Sequence, residues 1–350
     1  MASKPAVVMA SVAARIGLLG NPSDGYHGQC ISLPVQNWRA TARLLPNEDR
    51  WDFGLTVEMP DESHPLDFDS LESLTRDARA DPDAWLGGDG MRRIVVATCV
   101  QFQEECVDSS WAERAGGFRL MVDTNIPRQC GFAGSSAIET AVMRCLLTHH
   151  GLGQSLPPRE VANMVLRVET DVLGMVAGLQ DRLPQAYNEM LHMDFRKDLM
   201  WGRGWGEYAR MDVANLPQMW LAWGPQGEAS DAIHAELPGR WQAGEPEMVR
   251  IIGELAALAG EGRTCIPAKD HVRLWRLMDA NFELRRELFG DDALGETLTA
   301  VRLARTLGTC AKQTGSGGAI CGIVPDIEDF DARAEEAFKE MGWAYARLQV

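Results

Sequence analysis

Pro127-Arg-Gln-Cys-Gly-Phe-Ala-Gly-Ser-Ser-Ala137 sets two glycines, Gly131 and Gly134, around the approach to two adjacent hydroxyls, Ser135 and Ser136. A mixed helical run from Ala137 to Leu147 follows, and Phe118-Arg-Leu-Met-Val-Asp123 before it reads as a strand. The order is strand, glycine-rich turn, helix N-terminus. Such a turn can bring several backbone N–H groups against one anion, and the helix dipole favours negative charge there. The stretch is not G-x-x-x-x-G-K-[ST], because no lysine precedes the serines, and it is not G-x-G-x-x-G. By itself it also fits an ordinary tight turn with Ser135 or Ser136 as the helix cap.

A chain of 350 residues can bury a sizeable core, and two domains, 1–195 and 196–350, are more natural than one. Hydrophobic residues at 45% and charged residues at 24% fit a globular protein. No apolar run is long enough to span a bilayer. Val7 to Leu19 is interrupted by Arg15 and lacks the flank and cleavage region of a signal peptide, so a cytoplasmic location is the default. The formal net charge of -16 repels nucleic acid and anionic membranes. Partners are therefore expected among small molecules, and an anionic one needs local basic residues. The eight cysteines (Cys30, Cys99, Cys106, Cys130, Cys145, Cys265, Cys310 and Cys321) form no Cys-x-x-Cys and no zinc spacing. Most read as small core residues of a reducing compartment, while Cys130 and Cys310, beside glycine-rich turns, are candidates for reactive thiols.

Taken in order, Pro5 to Leu19 reads as a buried strand ending in the turn Gly20-Asn-Pro-Ser-Asp-Gly25, where Asn21, Ser23, Asp24, Tyr26 and His27 crowd together. Ile31 to Leu45 reads as a strand with Trp51 to Glu58 as its antiparallel neighbour. Helices follow over Leu71 to Ala80, Asp89 to Cys106, and Pro157 to about Asp171, the last carrying Glu169. Asp181 stands among Val176, Leu179, Leu183 and Tyr187, so it is either functional or paired with its neighbour Arg182. Strands are expected at Leu191 to Phe195, Trp205 to Asp212 and Leu216 to Trp223, the latter two beyond a boundary near residue 196. Helices over Glu247 to Leu258, Ala268 to Leu288 and Thr297 to Leu307 come next. Arg285 and Arg286 either pair on the surface with Glu283 and Glu287 or serve an anion. A second glycine-rich turn, Ala311-Lys-Gln-Thr-Gly-Ser-Gly-Gly-Ala319, runs into the apolar strand Ile320 to Val324, and a helix over 327–341 and a final strand over 343–350 close the chain. Trp201, Trp205, Trp220 and Trp223 read as packing residues, and Trp38 as packing or as a wall of a nucleotide site.

Two glycine-rich turns facing one cleft suit phosphoryl transfer, which needs a neutralised polyphosphate, usually with magnesium, and an aligned hydroxyl. Ser135 and Glu169 offer hard oxygen ligands for Mg2+. Asp181 can accept or orient the hydroxyl proton, and Arg15 can stabilise charge on the transferred group or on Asp181.

Three stretches in this order resemble the GHMP small-molecule kinases: Ala14-Arg-Ile-Gly-Leu-Leu-Gly-Asn-Pro-Ser-Asp-Gly-Tyr26, Ile126-Pro-Arg-Gln-Cys-Gly-Phe-Ala-Gly-Ser-Ser-Ala-Ile138 and Ala311-Lys-Gln-Thr-Gly-Ser-Gly-Gly-Ala-Ile320. The resemblance implies an α+β, two-domain fold with an N-terminal domain like domain 2 of ribosomal protein S5 and a ferredoxin-like C-terminal domain. Within that superfamily the chain is similar to the plant-type glucuronokinases. The shared stretches include Val176-Ala-Gly-Leu-Gln-Asp-Arg182, Leu191-His-Met-Asp-Phe195 and Asn281-Phe-Glu-Leu-Arg-Arg286. Such enzymes use ATP to phosphorylate the anomeric hydroxyl of D-glucuronate.

The resemblance implies catalytic roles for Asp181 and Arg15, and a phosphate-binding role for Pro127, Arg128, Gly131, Ala133, Gly134, Ser135 and Ser136. It implies Mg2+ at Ser135 and Glu169, and Asn21, Asp24 and Tyr26 along the sugar. Gly315, Ser316 and Gly317 would close the site. For the sugar's carboxylate the candidates are Arg285, Arg286, Arg128 and Lys312, with the bidentate guanidinium of Arg285 first. Tyr187 is followed by Asn188-Glu189 where plant glucuronokinases carry paired glycines, their lysine has no equivalent near Asp231-Ala-Ile-His234, and Gly25 and His27 differ in the first loop. These departures fall near possible sugar walls. The alternatives are a kinase for another sugar or sugar phosphate, and a non-catalytic ATP- and sugar-binding regulator.

Overall fold

Two long strands near the start of the chain carry the frame of the first half. β1 (Val8–Leu19) and β2 (Gln29–Pro46) run antiparallel along almost their whole length. The structure is a computed structural model describing residues 6–49, 52–88, 90–107, 115–153, 155–225 and 236–350. Pro5, Trp51, Asp89 and Asp231 to His234, on which some sequence expectations rest, lie outside the described residues. The register of β1 on β2 shifts between Ala13 and Ala14 and again between Gly17 and Leu19. Such irregularities bend a strand and re-aim its side chains, and Arg15 lies between these two.

The other elements of this half are β3 (Leu55–Glu58), β4 (Leu66–Phe68), α1 (Leu71–Ala80), α2 (Pro82–Leu86), α3 (Met91–Phe102), β5 (Phe118–Thr124), α4 (Gly134–His149), α5 (Pro158–Arg167), α6 (Arg182–Tyr187), β6 (Met190–Asp194), α7 (Lys197–Arg203) and β7 (Glu207–Met211). The sheet order is β4-β3-β5-β2-β6-β7, with β1 on β2. β5 alternates buried Phe118, Leu120 and Val122 with outward Arg119, Met121 and Asp123, the period-two pattern of a half-buried strand. The expected pairing of β3 with β2 is not found. β3 runs parallel to β5 and antiparallel to β4. A parallel pair needs a crossover, which α1 to α3 supply. β7, expected beyond the boundary, pairs with β6 and so belongs to the first sheet.

The second half contains β8 (Met219–Trp223), α8 (Leu237–Gln242), α9 (Pro246–Cys265), α10 (His271–Phe289), α11 (Asp291–Thr306), β9 (Lys312–Gln313), β10 (Ala319–Ile323), α12 (Phe330–Glu340) and β11 (Ala344–Arg347). Its antiparallel sheet has the order β11-β8-β10-β9. Trp220 is fully buried between Phe338 and Tyr345, with ring centroids 5.6 and 6.1 Å away. Its indole N–H donates to Thr309 Oγ1 at 3.1 Å, so the large apolar ring is buried without an orphaned donor. One hydrophobic cluster joins the two halves, running from Leu19 and Ile31 to Cys265, Leu274 and Met278. Burying each such side chain contributes about 1.5–3 kcal/mol, and this continuous core fixes how the two glycine-rich turns meet. Trp201 departs from its packing assignment: it is 72% exposed, with the Lys197 ammonium 4.0 Å over its ring. All eight cysteines are buried free thiols. Among the described residues no helix is long and apolar enough to cross a membrane.

Candidate active site

The glycine-rich turn between β5 and α4 lines a cavity of about 380 Å³. Gly131 has φ +71°, and Ala133, the residue before the helix, is left-handed at φ +57°. α4 therefore begins at Gly134, and neither serine is its cap. The first N–H groups of a helix have no intrahelical acceptor, so those of Gly134, Ser135 and Ser136 form the start of an anion nest. Ser136 Oγ donates back to Ala133 O at 3.2 Å, while Ser135 Oγ donates to Glu169 Oε1 at 3.0 Å. Pro127, Arg128, Gly131, Ala133, Gly134 and Ser135 all line the cavity. Trp38 packs behind it instead, with its centroid 4.8 Å from those of Phe132 and Trp223.

The second glycine-rich turn is in backbone contact with the first. Thr314 Oγ1 donates to Gly131 O at 3.1 Å, and a Cβ on Gly315 would stand 2.5 Å from the same oxygen. Gly315 and Ser316 line the cavity, whereas Gly317 supports Gly131 from behind through its carbonyl. Arg15 ties the turns together: Nη1 donates to Thr314 O at 2.9 Å and reaches Gly131 O at 3.5 Å. Its backbone N–H donates to Phe132 O at 2.9 Å.

Nη2 of Arg15 forms an ion pair with Asp181 Oδ1. Arg182 is not the partner of Asp181. It turns to Glu169, with Nη2 2.5 Å from Oε2, and its Nη1 donates to Gly178 O at 2.6 Å. Asp181 and Arg182 straddle the start of α6, so adjacent side chains leave in different directions. Glu169 sits in a π-helical turn, Val168–Val172, that extends α5 and bulges toward the cavity.

Asp24 lies on the 3-10 turn Ser23–Tyr26, half-buried beside Asp181. Its Oδ2 accepts from the backbone N–H of Gln180 at 3.2 Å. A Cβ on Gly178 would fall 2.0 Å from that oxygen, so the close approach depends on glycine. Burial, and then the Asp181 charge, push the Asp24 carboxyl up to about 7. Tyr26 is buried against Trp241, centroids 5.4 Å apart, and lines the same cavity.

Arg285 is neither exposed nor paired with an acid. It is 1% exposed, lines the cavity, and donates to Gln313 Oε1 at 2.9 Å, Gly315 O at 3.0 Å and Asn21 O at 3.4 Å. Five donors less these three leaves two N–H bonds. Burial lowers its pKa to about 10, so it stays charged at neutral pH. Arg286 is the surface residue of the two, paired with Asp291 and Glu283. Lys312 must be corrected: it is fully buried off the cavity, its Nζ donating to Gly17 O at 2.7 Å and Gln313 O at 2.6 Å. Asn21 is buried beneath the wall and meets Arg285 through its carbonyl.

Two features were not anticipated. Ile94, Ile138, Leu173 and Met175, together with Arg93, are part of the cavity's lining and make much of it apolar. Glu139, fully buried on α4, also lines it. Burial, followed by the charge of Glu169, pushes the Glu139 carboxyl well above the usual range. A carboxylate at i+4 from Ser135 inside an apolar helix was the available signal. For Mg2+ the donors fit: Ser135 Oγ and the Glu169 carboxylate are hard oxygens, already adjacent, on the cavity wall beside the anion nest.

Residues 93–189 match the family described as GHMP kinases N terminal domain. Glucuronokinase 1 of Arabidopsis thaliana is 37% identical over 339 residues, covering 96% of this chain and 90% of that protein. Probable glucuronokinase 2 of the same plant is 39% identical over 333 residues, covering 94% and 88%. The fold is shared with galactokinase of Lactococcus lactis, solved with galactose, at a TM-score of 0.75 and 16% identity over 99% of this chain and 94% of that one. Identity at the level of the plant proteins, held along nearly the whole of both chains, makes this chain a member of the GHMP kinases.

Proposed function

We propose that this kinase transfers the γ-phosphoryl group of ATP to the anomeric hydroxyl of D-glucuronate. The observation that carries the choice of acid is Arg285, a buried cation with two spare N–H bonds on the wall that also holds Arg15 and Asp181. Leaving a buried charge unpaired is expensive, and a carboxylate on the substrate repays it through a bidentate contact. The two similar plant proteins are named as glucuronokinases, which agrees with an acid substrate. A neutral sugar would leave those donors without an anion.

The N–H groups of residues 134–136 hold phosphate oxygens, and the apolar lining residues Ile94, Ile138 and Leu173 take the flat base. Ser135 and Glu169 would hold Mg2+, which supplies charge neutralisation on the phosphates when bound. Asp24 and Tyr26 flank the sugar. The Arg15 ion pair fixes the direction of the Asp181 carboxylate. Asp181 accepts the hydrogen of the anomeric hydroxyl and takes the proton as the O–P bond forms. The bond from the γ-phosphorus to the bridging oxygen breaks, and ADP leaves.

ADP release measured across D-glucuronate, D-glucose and D-galactose, with NMR of the product, tests substrate and position together. The expected result is preference for the acid and a 1-phosphate product. Asp181→Asn should lower kcat by about 10²–10⁴ with ATP affinity retained. Preference for a neutral sugar, or near-wild-type turnover of the variant, overturns the proposal.

A further inference from the structure

Glu139 is not used by the chemistry described above. It stands one helical turn beyond Ser135, at i+4, on the same face of α4. It is fully buried, it lines the cavity, no N–H or hydroxyl donates to either carboxyl oxygen, and its side-chain hydrogen-bond partner is another acid, Glu169. Its helix neighbours Ala137, Ile138, Ala141 and Val142 are apolar and buried. A buried carboxyl without donors is costly, and a well-packed apolar side chain would serve stability at least as well. The position therefore points to a ligand.

The surrounding charges indicate which kind. Three carboxyl groups, Glu139, Glu169 and Asp181, share this wall with two guanidinium groups, Arg15 and Arg182. Arg15 is committed to Asp181, and Arg182 to Glu169. Among the described residues Glu139 makes no ion pair of its own, although it feels the charge of Arg182. Its hydrogen-bonding companion is the Glu169 carboxylate, and Ser135 stands one turn back on its own helix, the same two residues that offer hard oxygens to a metal.

We propose that Glu139 is a further ligand, directly or through one bound water, of the divalent cation held by Ser135 and Glu169. Among the described residues no three His, Cys, Asp or Glu side chains already converge on one point. Mg2+ suits that arrangement, because it is ordinarily held by one or two carboxylates and completed by water and substrate phosphates. Glu139 and Glu169 supply the two carboxylates, on α4 and on the π-helical turn after α5. The inference rests on the reading of Ser135 and Glu169 as a cation site, so its test includes a variant of each carboxylate.

Mn2+, a hard cation visible by EPR, is titrated into the wild-type protein, Glu139→Gln, Glu139→Asp and Glu169→Gln, without nucleotide. Thermal melts and the affinity for metal-free ATP check each fold. Glu139→Gln is expected to weaken Mn2+ at least about tenfold, Glu139→Asp by less, with ATP affinity in EDTA unchanged within about twofold. Mn2+ affinity retained by Glu139→Gln but lost in Glu169→Gln overturns the role of Glu139 alone, because glutamine then replaces a neutral hydrogen-bonding partner. Affinity retained in both overturns the cation site with it. Should Glu139→Gln fail to fold, wild-type Mn2+ affinity in Glu139→Asp has the same overturning force.

Discussion

Arg15 and Arg285 are both buried guanidinium groups on one cavity, and both are braced by carbonyls of the glycine-rich turn at 315–318 or the residue before it. Their electrostatic settings are opposite. Around Arg15 there are two carboxylates, Asp181 in contact and Asp24 nearby, for one cation. Around Arg285 there are neutral oxygens, from Gln313, Gly315 and Asn21, and the face of the Phe289 ring, 5.1 Å from the guanidinium carbon. The first end has surplus negative charge and suits a proton acceptor held in place. The second has surplus positive charge and suits an anion brought by the substrate. On the proposed function, a hexose carrying a carboxylate would span such a polarity in one direction only, with its anomeric end toward Asp181.

The largest expected effect comes from breaking the cationic end. Arg285→Met should lower kcat/KM for D-glucuronate by about 10²-fold or more, since truncating one partner of a buried charge pair costs roughly 2–5 kcal/mol. The loss for D-glucose should be under about tenfold in the same assay, because no charge pair is then broken. Equal losses for acid and neutral sugar would show that Arg285 only braces Gln313 and Gly315.

The two ends differ also in how far they could be read beforehand. The strand–turn–helix order around residues 118–149 was legible because each part has a local signature: alternation, paired glycines, then helical spacing. The second turn and the helix ending in Arg285 and Arg286 were legible for the same reason. The pairing inside the site was not. Asp181 and Arg182 are adjacent, which suggested a local pair, yet the start of α6 sends them to Arg15 and Glu169. Lys312 beside a glycine-rich turn suggested a ligand, but strand β9 buries it toward Gly17 O. β3 gave no hint of its parallel partner, since strand order depends on a crossover and not on the strand's own residues. Glu139 was hidden by the apolar helix that surrounds it.

A smaller effect is expected where the two ends meet. Gly131 holds a left-handed φ of +71°, and an added Cβ would lie 2.7 Å from Gly317 O. Gly131→Ala should destabilise the protein by about 1–2 kcal/mol from the backbone alone and weaken ATP binding by roughly tenfold. Gly134 is the control. Its added Cβ would make only ordinary contacts, the nearest at 3.5 Å with Ile126, and the helix it opens tolerates alanine. Melting temperature and ATP titration on both variants check this. Similar losses from both would mean that the contact between the turns does not shape the phosphate nest.

The smallest effect tests the surplus of negative charge at the Arg15 end. Asp24 has a folded-state pKa of about 7 against an ordinary 3.8, raised by burial and by Asp181. The folded protein therefore holds this proton more tightly than the unfolded chain does. That contribution is fully present below about 3.8 and is lost as pH rises through about 7. Asparagine does not titrate, so the melting temperature of Asp24→Asn minus that of wild type should climb from pH 5 to about pH 7 and level off by pH 8. Adding Asp181→Asn to both proteins removes one of the two causes and should flatten the climb without abolishing it, because burial remains. A difference that stays constant with pH would mean that Asp24 is ionised in the folded protein throughout, and that neither burial nor the Asp181 charge raises its pKa.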